Sequence, residues 1–158
     1  MNYQYIGKST PVNNSRAKAS GLLRYAGDMK LPNMLHMKLV LSPVSHGIVK
    51  AIDSSAALAM PGVAAVLSFE NTVDTKYNRG RVRISEDVMD QETLFSRHVR
   101  FVGDRVAAVL ADSPEIAAAA AEAIQLEIEE LPAVFTVKAA MREGAPQLHE
   151  DVNTVTLP

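Results

Sequence analysis

Histidine is the side chain best suited to acid–base or metal chemistry near neutral pH, and the sequence contains four, His36, His46, His98 and His149. Histidine metal sites usually show ligands paired at the short spacing of a helix turn or a hairpin. None of the four lies within a helix turn of another. The sequence therefore predicts no metal site, and His36 is expected on the solvent face of a strand.

Nucleophiles and cofactor-binding loops are also missing from the sequence. The chain has no cysteine, which excludes disulfides, a thiolate nucleophile, a cysteine zinc site and an ordinary cysteine-ligated iron–sulfur cluster. No serine occupies a G-x-S-x-G elbow, and the eight glycines form neither G-x-G-x-x-G nor G-x-x-x-x-G-K-[ST]. We therefore predict no catalytic and no cofactor-binding residue in this chain.

Carboxylates cluster at Glu127, Glu129 and Glu130. General acid–base catalysis needs a carboxylate in an apolar pocket that shifts its pKa. Strand alternation instead turns Glu127 and Glu129 outward on one solvated face, so we expect a solubilising role.

The segment from Lys76 to Arg83 is the one local concentration of positive charge, and it holds Lys76, Arg79, Arg81 and Arg83. Such a loop can bind phosphates, as basic loops of RNA-binding proteins do. Acidic residues follow at positions 86, 87 and 90, and the formal net charge of −2 gives no general attraction for nucleic acid. We expect an exposed charged loop, with RNA binding through those four cations as an alternative.

One pattern occurs twice: an apolar strand, an Asp-Ser pair, a helix and a second apolar strand. The first copy is IVKAIDSSAALAMPGVAAVLSF, from Ile48 to Phe69. The second is RVAAVLADSPEIAAAAAEAIQLEIEELPAV, from Arg105 to Val134. In the second copy the nearly all-apolar stretch 106–110 predicts a strand covered on both faces, and Ser113 is expected to cap the helix.

Alternation of apolar and polar residues predicts another strand before the first copy. The apolar residues at 35, 37, 39 and 41 share one face of it, and His36 and Lys38 share the other. Pro43 interrupts this strand, and a second strand, at about 46–52, is predicted to pair back as a hairpin. The predicted fold class is α/β (α+β), a mixed sheet with two strand–helix–strand units and a hairpin.

The length of 158 residues fits one domain. We expect an extended N-terminal arm over 1–20, the α/β domain over 21–143 and a linker over 144–158. No apolar run reaches the ~20 residues of a membrane helix, and the polar N-terminus lacks the apolar stretch of a signal peptide. The expectation is a cytoplasmic, soluble chain.

Three stretches together resemble a known family. They are GKSTPVNNSRAKASGLLRYAGDMKLPNMLHMKLVLSPVSHGIVKAIDSSAALAMPGVAAVL, HVRFVGDRVAAVLADSPEIAAAAAEAIQLEIEELPAV and APQLHEDVNTV. In this order they are similar to the α/β hammerhead domain of the xanthine dehydrogenase/aldehyde oxidase (molybdenum hydroxylase) family and to the link into its molybdopterin-binding region. The family's Arg-Ser-Pro and His-Ala stand here as Leu41-Ser42-Pro43 and His46-Gly47. Its early Arg-x-Asp element has no clear match, so the substrate class is not indicated.

The resemblance implies a non-catalytic domain of an oxidoreductase that hydroxylates purines, other heterocycles or aldehydes with oxygen from water. The parent enzyme is expected to use molybdopterin-molybdenum, iron–sulfur clusters and FAD, with none of them on this chain. The implied partners are the molybdopterin-binding domains, toward which the linker would lead, and iron–sulfur and flavin domains or subunits.

The family's turns fall on residues that would touch those neighbours. They are Ser42, Pro43, His46, Val102, Gly103 and Asp104. A local role in shaping the turns explains them equally well. Because a hammerhead domain on its own exposes apolar surface, we expect the isolated chain to self-associate. A free-standing α/β binding or adaptor module is the main alternative.

Overall fold

The computed structural model describes residues 3–77 and 92–149. In this part of the chain the backbone forms six β-strands, four α-helices and one 3₁₀-helix. The strands are β1 (His36–Leu41), β2 (Gly47–Asp53), β3 (Val63–Ser68), β4 (His98–Val99), β5 (Arg105–Ala111) and β6 (Gln125–Glu130). The α-helices are α1 (Ser15–Ala19), α2 (Ser55–Leu58), α3 (Pro114–Ala123) and α4 (Val137–Ala140), and the 3₁₀-helix is Ala26–Asp28.

The chain divides into two units, Met1–Met34 and Leu35–Pro158. In the first unit, none of the described residues is buried. Within the segment predicted as an extended arm, Ser15–Ala19 form the helix α1. The Asp28 side chain caps the start of the 3₁₀-helix, because its Oδ2 accepts the Tyr25 backbone N–H at 2.9 Å.

The second unit contains two antiparallel sheets, in the strand orders β1-β5-β3 and β4-β2-β6. The α/β (α+β) class is confirmed, but the strands do not form one mixed sheet. The predicted hairpin is also wrong, because β1 pairs with β5 whereas β2 pairs with β4 and β6. Between β1 and β2 the chain passes from one sheet to the other. At this point Ser42 directly follows β1, and its backbone N–H donates to Asp104 O at 2.8 Å.

The repeated sequence pattern is confirmed as β2–α2–β3 and β5–α3–β6. Each copy places one strand in each sheet, since β2 pairs with β6 and β3 pairs with β5. The two helices of the copies also pack against each other. The copies are therefore interlocked, and each sheet contains one strand from each copy.

Strand β5 is covered on both faces, as predicted. Ala107 and Val109 are fully buried in a cluster with Ala120 of α3. Val106 points away from that cluster and is fully buried against Val49 and Val99 of the other sheet. Because successive side chains of a strand point to opposite faces, β5 belongs to both hydrophobic cores.

The apolar face of β1 is not the buried one. Val40, on the side of His36 and Lys38, packs in the cluster beneath α3. Met37 and Leu41, on the other face, are 60% and 48% exposed. The reason is that α3 packs on one side of this sheet only. Val40 on that side is buried, whereas Met37 and Leu41 on the opposite side are exposed.

Helix α3 begins as predicted. Ser113 Oγ accepts the Ile116 N–H at 3.2 Å, and Pro114 occupies the first turn. The pKa of Glu115 is lowered, chiefly by a hydrogen bond from its own backbone N–H and next by the Ser113 hydroxyl. The following strand, β6, lies at a sheet edge and turns Leu126 and Ile128 toward the core, as the alternation predicts.

Gly47 marks a point where two backbones approach closely. A Cβ atom there would lie 2.7 Å from Glu129 O and 2.8 Å from Ile128 Cγ2. We predict that Gly47→Ala lowers the free energy of unfolding by about 2 kcal/mol, because the β2–β6 pair must separate to admit the methyl group. Urea unfolding followed by circular dichroism measures this effect.

Gly27→Ala is the matched control, since nothing lies within 4 Å of a Cβ at that position. Equal unfolding midpoints for the two variants would contradict the close approach at Gly47.

Candidate functional site

Two turns that the sequence singles out separately lie side by side in the structure. The Gly103 N–H donates to Ser42 O at 2.9 Å, and the Ser42 N–H donates to Asp104 O at 2.8 Å. These reciprocal bonds join the end of β1 to the turn that precedes β5. We call Ser42–Pro43 and Val102–Asp104 the turn pair.

Each turn has a local cause. The Ser42 hydroxyl accepts the Val44 N–H at 3.2 Å and lies 2.9 Å from Val44 O, to which it donates. In the second turn the Asp104 N–H donates to Phe101 O at 3.1 Å, and Gly103 has a φ of 91°. A positive φ at this position favours glycine, as the Gly-Asp pair predicts.

The Asp104 carboxylate is buried and organises the second turn. Its Oδ1 accepts the Ser96 hydroxyl at 3.0 Å and the Arg105 N–H at 2.9 Å. Its Oδ2 accepts the Arg100 N–H at 3.2 Å. A buried carboxylate whose lone pairs are occupied by donors within the fold serves the shape of the turn.

His46 and His98 lie next to each other, a proximity that sequence reasoning missed. Their Nε2 atoms are 2.9 Å apart, and His46 Nδ1 is 2.6 Å from Pro132 O. Since a carbonyl only accepts, Nδ1 of His46 carries a proton toward Pro132. His46 thereby ties the segment after β6 to β4. No residue pattern in the sequence signals this contact, because it depends on the strand register that pairs Ile48 with His98.

The six residues predicted at a domain interface divide by burial. Pro43 and Val102 are exposed and Gly103 is half-buried, whereas Ser42, His46 and Asp104 are buried. The exposed members are available for contact, and the buried members hold them in place.

Exposed apolar side chains lie beside the turn pair and along β1. They are Leu35, Met37, Leu41, Phe101 and Val102, which are 44–61% exposed. We call these five residues the apolar stripe. Large apolar side chains exposed together are unusual on a monomer surface and are typical of interfaces.

The basic segment is described only at its start. Lys76 is exposed. Arg79, Arg81 and Arg83 lie outside the described residues. Over residues 3–77 and 92–149, no three His, Cys, Asp or Glu side chains are grouped as metal ligands. In the same ranges no helix is long and apolar enough to cross a bilayer.

Comparison with protein families identifies the class of domain. The family model "Aldehyde oxidase and xanthine dehydrogenase, a/b hammerhead domain" matches residues 20–132. The match covers more than half of the chain, and the chain therefore belongs to this family. The resemblance inferred from the sequence and the α/β hammerhead fold are confirmed.

Individual relatives agree with this family. The nicotinate dehydrogenase large molybdopterin subunit of Eubacterium barkeri is 34% identical over 151 residues, which are 96% of this chain and 34% of that protein. The carbon monoxide dehydrogenase large chain of Hydrogenophaga pseudoflava is 42% identical over 128 residues, which are 81% of this chain and 16% of that protein.

A solved structure shows the same fold. The aldehyde oxidoreductase of Desulfovibrio desulfuricans superposes with a TM-score of 0.81 at 31% identity, over 92% of this chain and 17% of that one. The chain thus spans about a third of the Eubacterium protein and about a sixth of the other two.

The role of Asp104 in the turn pair can be tested by Asp104→Asn. An amide cannot accept at both oxygen positions, so one N–H or hydroxyl donor loses its buried acceptor. We predict a loss of about 2 kcal/mol in the free energy of unfolding, measured by urea denaturation.

Asp112→Asn is the control, because Asp112 is exposed and its side chain has no hydrogen bond within the described residues. If Asp104→Asn unfolds at the same urea concentration as the wild type, the carboxylate does not organise the turn.

Proposed function

We propose that this chain is a non-catalytic hammerhead domain of the molybdopterin-binding subunit of a molybdenum-dependent hydroxylase. It packs on the neighbouring domains that hold the cofactor and helps to wall the route to it. The observation that carries this proposal is the family match over residues 20–132, in a stretch that makes up a third or less of the relatives' large chains.

The apolar stripe is the surface proposed to meet those domains. It includes Val102 of the turn pair, and the other exposed turn residue, Pro43, follows Leu41 closely in sequence. Hydrogen bonds fix the backbone of both turns, so this surface is ordered before any partner binds. A preformed surface loses little conformational entropy on docking, which favours a permanent domain contact.

The residues of this chain do not fit an iron–sulfur cluster. Iron–sulfur clusters require thiolate ligands, and the sequence has no cysteine. We therefore assign iron–sulfur clusters to the partner domains or subunits, and the family resemblance assigns molybdopterin-molybdenum and FAD there as well. We place the enzyme in the cytoplasm, because a chain without cysteine suits a reducing compartment.

The purified 158-residue chain tests this assignment directly. Elemental analysis should find no bound molybdenum, and no dye reduction should occur with purine, nicotinate or aldehyde substrates. Turnover together with stoichiometric molybdenum would overturn the non-catalytic role.

The coding frame beyond Pro158 separates the domain from the adaptor alternative. Continuation into molybdopterin-binding sequence supports the proposal, and a stop codon at that point favours a free-standing module.

The apolar stripe should also make the isolated chain self-associate. We predict that light scattering gives an apparent mass that rises with protein concentration, and that Leu41→Lys reduces this rise because a charge enters the apolar contact. Leu58→Lys is the control, since Leu58 on α2 is exposed to a similar degree, 52% against 48%.

A wild-type mass that stays monomeric at every concentration would contradict self-association. An equal effect of Leu41→Lys and Leu58→Lys would show that charge alone, and not the stripe, controls it.

A further inference from the structure

A cleft of about 320 Å³ lies between the loop that follows β3 and the segment that leads into β4. Its walls include Phe69, Asp74, Lys76, Arg97 and Arg100. Its described lining residues thus include three cationic side chains and one carboxylate. Lys76 has a partner of its own, so the two arginines carry the positive charge considered below. The chain as a whole is slightly acidic, so this positive charge is a local feature.

Arg97 is an exposed guanidinium held in place without a carboxylate. Its guanidinium carbon lies 5.8 Å from the centroid of the Phe69 ring, within range of a cation–π contact. Its backbone carbonyl accepts the Val49 N–H at 2.9 Å, which anchors the residue to β2. No ion pair or side-chain hydrogen bond involves Arg97 in residues 3–77 and 92–149. Its N–H donors remain available to a ligand.

Arg100 is fixed more firmly, and again by neutral acceptors. Its Nε donates to Leu148 O, and its Nη1 donates to His98 O at 3.1 Å. Neither carbonyl cancels the charge of the guanidinium, and Nη2 has no partner in the described part of the chain. The pKa of His149 is lowered, first by burial and next by the positive charge of Arg100.

We propose that this cleft binds a small molecule through a phosphate group, with Arg97 and Arg100 as the binding residues. Arg97 offers a planar donor pair that matches phosphate oxygens, and Arg100 adds the donors of its Nη2. The volume accommodates more than a lone phosphate and lies at the lower end of small-molecule sites. The proposal does not depend on the docking function, because neither arginine belongs to the apolar stripe.

The site escapes motif analysis for a physical reason. Phosphate sites with a sequence signature use consecutive backbone N–H groups of a glycine-rich loop. Here the donors are side chains held by Phe69 and Leu148, which are far from them in sequence.

Isothermal titration of the full chain with inorganic pyrophosphate at low ionic strength tests the proposal. We expect saturable binding, weakened about tenfold by Arg97→Gln, which removes a charge-assisted donor pair. Arg142→Gln is the control, since it removes the same charge from an exposed position outside the cleft and should bind as the wild type does. Circular dichroism verifies that each variant is folded.

Three results would overturn the site. One is the lack of saturable pyrophosphate binding. Another is an equal loss in Arg97→Gln and Arg142→Gln, which would show general charge attraction. The third is binding of a single-stranded RNA oligomer without binding of pyrophosphate, which would favour a nucleic-acid surface instead. Retained pyrophosphate binding in Arg97→Lys at reduced affinity would support a role for the guanidinium fork beyond its charge.

Discussion

The double burial of strand β5 is the interaction on which the rest of the second unit depends. Val106 on one face and Val109 on the other are both fully buried, in two different clusters. Among the described residues each sheet has three strands, and a small sheet needs a covered apolar face to be stable. Val106 of β5 packs against Val49 and Val99 of the β4-β2-β6 sheet and so covers its apolar face. On the opposite side of β5, helix α3 covers the β1-β5-β3 sheet.

The two copies of the sequence pattern pair with each other in both sheets. β2 of the first copy pairs with β6 of the second, and β3 pairs with β5. The turn pair then fixes the point at Ser42 where the chain leaves one sheet for the other, and His46 fixes the segment after β6 at Pro132. The surface proposed for docking and the cleft proposed for phosphate both depend on these fastenings, although they face different ligands.

Local features of this fold could be predicted from sequence because their causes are local. Ser113 caps α3 through a donor three residues away, and Gly103 takes the positive φ that its turn requires. The partners of each strand could not be predicted, because β1 and β2 are adjacent in sequence and nothing in Leu41-Ser42-Pro43 states that they belong to different sheets. The exposed face of β1 has the same origin: alternation shows two faces, but only the position of α3 decides which is buried. The contact between His46 and His98 and the paired roles of Arg97 and Arg100 likewise arise from tertiary structure.

The interlocking of the two copies has a consequence for how the molecule is made. β1 and β2 emerge early in synthesis, yet their hydrogen-bonding partners β5 and β6 come late in the chain. Contacts so distant in sequence require the closure of long loops, and folding that depends on them is slow. During synthesis the strand edges of the first half therefore stay unpaired until the second half leaves the ribosome. The apolar residues of those edges must be shielded from aggregation during that interval.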